Sequence, residues 1–77
     1  MLVKLLHHLL HPLVDQPDKL QVDHVETKDL DIFLVTVPET DRGHVLGRDG
    51  KTADAIRTIM TRVAETMERD VVIDVLD

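Results

Sequence analysis

The stretch GHVLGRDGKT, Gly43–Thr52, admits two phosphate-binding readings. Gly50-Lys51-Thr52 is the tail of a nucleotide-binding P-loop, whereas Gly47-Arg48-Asp49-Gly50 is a four-residue turn of the kind that grips a nucleic-acid backbone. Both bring phosphate close to glycine-freed main chain, so spacing and flanks must separate them. A P-loop needs a glycine five positions before Gly50, directly after a buried strand. That position is Val45, and the residues before it read as a short helix. What remains of the chain offers no parallel sheet with a second, magnesium-binding carboxylate strand. An ATPase or GTPase is thus the weakest reading.

Both flanks of the turn are helical in pattern. Upstream, Thr40 or Asp41 can cap a short helix running to about Leu46, with Gly47 where helices commonly stop in a left-handed conformation. Downstream, Ala53, Ile56, Ile59, Met60, Val63, Ala64 and Met67 mark an amphipathic helix from about Lys51 to Glu68, with Met60 and Met67 at core spacing. The turn therefore delivers its amides to a helix N-terminus, whose partial positive charge favours an anion. Arg48 and Lys51 add side-chain charge, and Asp49 opposes it.

Further out, Leu2 to Val14 carries apolar residues at helical spacing and leaves Lys4, His7, His8 and His11 on the other face. Pro12 should kink or end that helix, with Asp15-Gln16-Pro17-Asp18 as a turn. Leu20 to Thr27 alternates until Val25 breaks the phase, which predicts a strand with a bulge or an early end. Lys28-Asp29 is a tight turn. DIFLVTV, Asp31–Val37, is a covered strand ended by Pro38, and Val71 to Leu76 alternates as a closing strand. The order is αββααβ, an α+β domain in which a three-stranded sheet carries its helices on one face.

Composition narrows the function classes. The chain has 77 residues, room for one small domain that buries roughly 60 to 65% of its unfolded surface. Cys, Ser, Asn, Trp and Tyr are absent, so there is no disulfide framework, no thiolate zinc site and no hydroxyl or thiol nucleophile except Thr. That argues against an enzyme and fits a reducing cytoplasm. The histidines and Pro12 interrupt the leucine run at the N-terminus, and no small-residue cleavage site follows, so neither a signal peptide nor membrane insertion is expected. Formal net charge is -6, yet Arg42, Arg48, Lys51, Arg57 and Arg62 face only Asp49 and Asp54 between residues 42 and 62. A local charge of +3 thus sits on a body of -9.

With these residues in view, VLGRDGKTADAIRTI, residues 45–59, resembles the signature of a K homology (KH) domain, and the element order resembles its bacterial type II form. The whole chain, 1–77, is similar to the small single-domain bacterial proteins of the KH protein A family. The resemblance implies non-catalytic binding of single-stranded RNA, with Gly47, Arg48, Asp49, Gly50 and Lys51 holding the backbone. It places Val45, Leu46 and Ile56, with aliphatics of DIFLVTV, along an apolar base groove, and Arg42, His44 and Arg57 within reach of phosphate. It further implies self-association or a larger KH-containing protein partner, and a role in post-transcriptional control or as an RNA chaperone. No cofactor is implied.

Blander readings stand beside these. Val45, Leu46 and Ile56 would be apolar in any helix packed on a sheet. Arg57 and Arg62 suit solvated helix faces equally well. His7 and His11 lie one helical turn apart, but no Cys or well-placed carboxylate completes a metal set, so they should face solvent. The single aromatic, Phe33, disfavours RNA-binding surfaces that stack bases on rings. The rival functional reading is a protein-interaction or dimerisation module with secondary RNA contact, motivated by an apolar stripe on the first helix that is wide for one small sheet to cover.

Overall fold

The computed structural model describes residues 1–76. Helix α1 spans Leu2–Leu10 and buries Leu2, Leu6 and Leu10, one residue per turn along a single line. Pro12 ends it as expected, and the chain tightens into a 3₁₀ turn over His11–Leu13. A second 3₁₀ turn, Pro17–Lys19, leads into strand β1, Gln21–Glu26. Strand β2, Leu30–Thr36, pairs antiparallel with it from Gln21↔Thr36 to Glu26↔Asp31.

That register runs without interruption, so the expected bulge in β1 is absent. Val25 keeps its phase and points to the uncovered face of the sheet, where it is 49% exposed. The inward position beside it belongs to His24, whose ring stacks on Phe33 at 4.5 Å between centroids. An apolar side chain on the open face was mistaken for a break in alternation.

After Pro38 come helix α2, Glu39–Leu46, the turn Arg48–Gly50, and helix α3, Lys51–Thr66. This crossover returns the chain to strand β3, Asp70–Val75, parallel to β2, giving the sheet order β1-β2-β3. Asp31, Phe33, Val35 and Val37 alternate inward from the central strand and its continuation. Leu6, Leu10, Val45, Ile56, Met60, Ala64 and Ile73 meet them in one apolar core beneath the helices. Full burial of a side chain the size of Leu6, Phe33 or Met60 contributes about 1.5–3 kcal/mol each.

Two packing expectations change. Met67 follows the last residue of α3 as its C-cap and is 40% exposed rather than packed in the core. On α1, Val3, Leu5 and Leu9 pack partly buried against the core, so the helix carries no surplus apolar stripe. Among the described residues, the exposed large apolar residues beyond Met1 are Val25 and Val72 on the sheet, Ile59 on α3 and Met67 just after it.

Polar contacts between distant residues fix the frame. Asp41 is fully buried, and its carboxylate accepts the amides of Asp15 (3.0 Å) and Gln16 (3.1 Å). It therefore ties α2 to the turn after α1 instead of capping its own helix, which starts after Pro38 without a side-chain cap. At the other end, the Arg69 guanidinium donates to Asp31 Oδ2 (2.5 Å) and to the carbonyls of Thr27 (2.7 Å) and Lys28 (2.9 Å). Arg69 thus clamps the β1–β2 turn to the start of β3. Its bond holds the Asp31 carboxyl below the usual carboxylate range against the opposing effect of burial, with His24 Nε2 at 2.6 Å assisting. Asp31 in turn raises the Arg69 guanidinium above its ordinary value.

Candidate nucleic-acid interface

The loop between α2 and α3 is built on an unusual run of backbone angles. Gly47 adopts φ 76, ψ 175, a region essentially restricted to glycine. Its conformation departs from the expected left-handed helix stop, where ψ would be near 47. A Cβ at Gly47 would also lie 2.6 Å from Thr52 Cβ and 2.8 Å from the Thr52 amide nitrogen. Gly47 is therefore required twice, by dihedral and by space.

Asp49 follows at φ 55, ψ 28, and Gly50 at φ 74, ψ 10. Two successive left-handed residues turn the chain into α3. Asp is among the few residues with a side chain that tolerate this region, because its short polar group can bond locally. The residue read as an electrostatic liability is thus also a conformational fit, a point that charge counting missed.

The turn closes through Gly50 N–H to the Gly47 carbonyl (3.2 Å) and Lys51 N–H to the Arg48 carbonyl. No side chain caps α3, whose N-terminus directly after the turn is the positive end of a 16-residue helix. Arg48 and Lys51 are exposed and, among the described residues, carry no salt bridge or hydrogen bond from their side chains. Both cations are free for a phosphate.

The other predicted contacts are placed differently. Arg57 folds back over the sheet edge, donating from Nε to the Ile73 carbonyl (3.2 Å) and from Nη1 to Asp54 (3.1 Å). His44 points toward Asp15 at 3.8 Å, both groups being largely exposed, so that contact contributes little. Arg42 is half-buried, with its Nε enclosed and without a hydrogen-bond partner.

The groove residues also divide. Val45 is 1% and Ile56 6% exposed, so both serve the core, and they only floor a narrow apolar crevice shared with Ala53, Val35 and Val75. Leu46 is half-buried beside the loop. From DIFLVTV, Val35 reaches that crevice across the covered face of the central strand β2. The free strand next to α3 is β3. Between them runs an open cleft of about 230 Å³ lined by Arg57, Thr61, Val71, Val72 and Ile73.

A parallel β2–β3 pair joined through two helices, with a glycine-built GRDG turn between them, defines the class: a KH domain in the αββααβ arrangement. Comparison with known proteins gives the family. The model described as "KhpA/KhpB, KH domain" matches residues 3–75, and the chain belongs to that family. Among curated relatives, the protein named RNA-binding protein KhpA of Leifsonia xyli subsp. xyli is 38% identical over 77 residues, covering 100% of this chain and 99% of its own. Its namesake in Halalkalibacterium halodurans is 36% identical over 74 residues, covering 95% and 96%. The one in Bacillus subtilis is 34% identical over 73 residues, covering 95% and 90%.

Proposed function

We propose that this chain is a non-catalytic, single-stranded RNA-binding protein that holds the RNA backbone on the Gly47–Gly50 loop. The observation that carries the reading is the pair of cations, Arg48 and Lys51, unpartnered among the described residues, on a turn that only glycine permits at Gly47. The backbone lies against the start of α3, and the following bases lie in the cleft between α3 and β3. Arg57 lines that cleft, and its guanidinium, held beside the Ile73 carbonyl, would meet the bases or the adjoining phosphates.

Relatives named RNA-binding proteins support the ligand class. No helix of the described residues is long and apolar enough to cross a membrane. The reading extends to a cytoplasmic post-transcriptional regulator or RNA chaperone. One loop with two cations and one opposing carboxylate binds weakly and salt-sensitively. Self-association or a larger KH-containing partner would raise affinity by avidity.

The test is fluorescence anisotropy of short single-stranded RNAs with wild type and Arg48→Asp. Affinity should fall and its salt dependence flatten while the melting temperature is kept. Unchanged affinity in a folded Arg48→Asp protein would overturn the loop assignment.

A further inference from the structure

All helices lie on one face of the sheet, and the other face is bare. The strand registers determine what that bare face presents. One row across the three strands is Val25, Ile32 and Val72, and the next is Asp23, Leu34 and Asp74. Leu30 pairs with Asp70 at one end, and Gln21 with Thr36 at the other. Val25 and Val72 are 49% and 48% exposed. The face therefore has an aliphatic centre, Val25, Ile32, Leu34 and Val72, and every charged residue that the strands turn to it is an aspartate.

That charge pattern discriminates among occupants. RNA is repelled by it. A second copy laid face to face would oppose aspartates to aspartates with no cation on either side. Size discriminates as well: three strands about 4.8 Å apart and about 20 Å long present roughly 200–300 Å². A stable globular interface takes about 800 Å² from each partner. A single helix about 10 Å across and about 13 residues long covers such a patch.

We infer that the open sheet face is a docking site for a short amphipathic polypeptide segment, an aliphatic stripe flanked by Lys or Arg, supplied by another protein. The aliphatic stripe covers Val25, Ile32 and Val72, and its flanking cations meet Asp23, Asp70 and Asp74. The docking face does not include the Gly47–Gly50 loop and meets the cleft between α3 and β3 at Val72.

Two synthetic helical peptides of about 14 residues, identical in their leucine stripe and flanked by Lys in one and Glu in the other, provide the probe. Amide chemical shifts of the full chain give the readout. The Lys peptide should move the signals of Val25, Ile32 and Leu34, and the Glu peptide should not. Asp23→Asn and Asp74→Asn should each weaken the Lys peptide about two- to fivefold, as expected for exposed ion pairs. Val72→Asp should abolish binding, and because Val72 is surface-exposed its melting temperature verifies the fold. The inference is overturned if the Lys peptide leaves these signals unmoved or shifts only α2 and α3, or if the Glu peptide binds equally. It is likewise overturned if a short RNA, or added protein alone, shifts the same three amides.

Discussion

Replacing Gly47 by alanine tests the loop more sharply than any charge change, because the structure separates its cost from that of the neighbouring glycine. Alanine at Gly47 must hold φ 76, ψ 175, at about 1–3 kcal/mol. Its methyl must also displace Thr52, whose Cβ lies 2.6 Å away, at a further cost of about 1–3 kcal/mol. Alanine at Gly50 needs only the left-handed helical region, φ 74, ψ 10, and meets nothing within 4 Å, so it costs about 1–2 kcal/mol. For a domain of this size each kcal/mol moves the melting temperature by about 4–8 °C. Gly47→Ala should therefore melt roughly 8–48 °C below wild type and Gly50→Ala roughly 4–16 °C below. Calorimetry and urea titration measure both. Adding Thr52→Ala to Gly47→Ala removes the contact with Oγ1 but leaves the Cβ contact and the dihedral, so recovery should be partial. A Gly47→Ala protein as stable as Gly50→Ala, or more so, would refute the reasoning.

Other expectations follow from charge and titration. Asp49→Asn keeps a residue suited to φ 55 while removing the carboxylate, so RNA affinity should rise by about two- to fivefold at low salt and the gain should vanish at high salt, as measured by anisotropy across a salt series. No gain at low salt would show that Asp49 faces away from the bound backbone. Asp31 has a lowered carboxyl pKa in the folded chain, so its contribution is complete above the unfolded value of about 3.9 and disappears as pH falls through the folded one. Urea midpoints of wild type should thus drop below about pH 4 more steeply than those of Asp31→Asn, and parallel curves would count against the Arg69–Asp31 pairing.

The order of elements was legible because helical and strand periodicities are local. Leu2, Leu6 and Leu10, or Ala53, Ile56, Met60 and Ala64, announce their buried faces within a few residues. The GRDG turn was legible for the same reason. Sheet order was not, because nothing in DIFLVTV says that it will be flanked on both sides, or that the closing strand will take the edge beside α3. Asp41 and Arg69 were missed because their partners lie 25 to 42 residues away, where composition carries no signal. Asp49 was read by charge alone, although its tolerance of positive φ was readable from residue type.

The Arg69 clamp has a consequence for the order in which the chain assembles. The β1–β2 hairpin is sequence-local, but a two-stranded hairpin is marginal by itself, and its turn carbonyls wait for a guanidinium from residue 69. The parallel partner β3 can arrive only after the crossover has formed, since non-local pairing incurs loop-closure entropy before any contact offsets it. The loop proposed to hold RNA sits on that crossover. During synthesis the sheet cannot close until the residues of β3 have left the ribosome, so the crossover that carries the loop is anchored to the sheet at both ends only then.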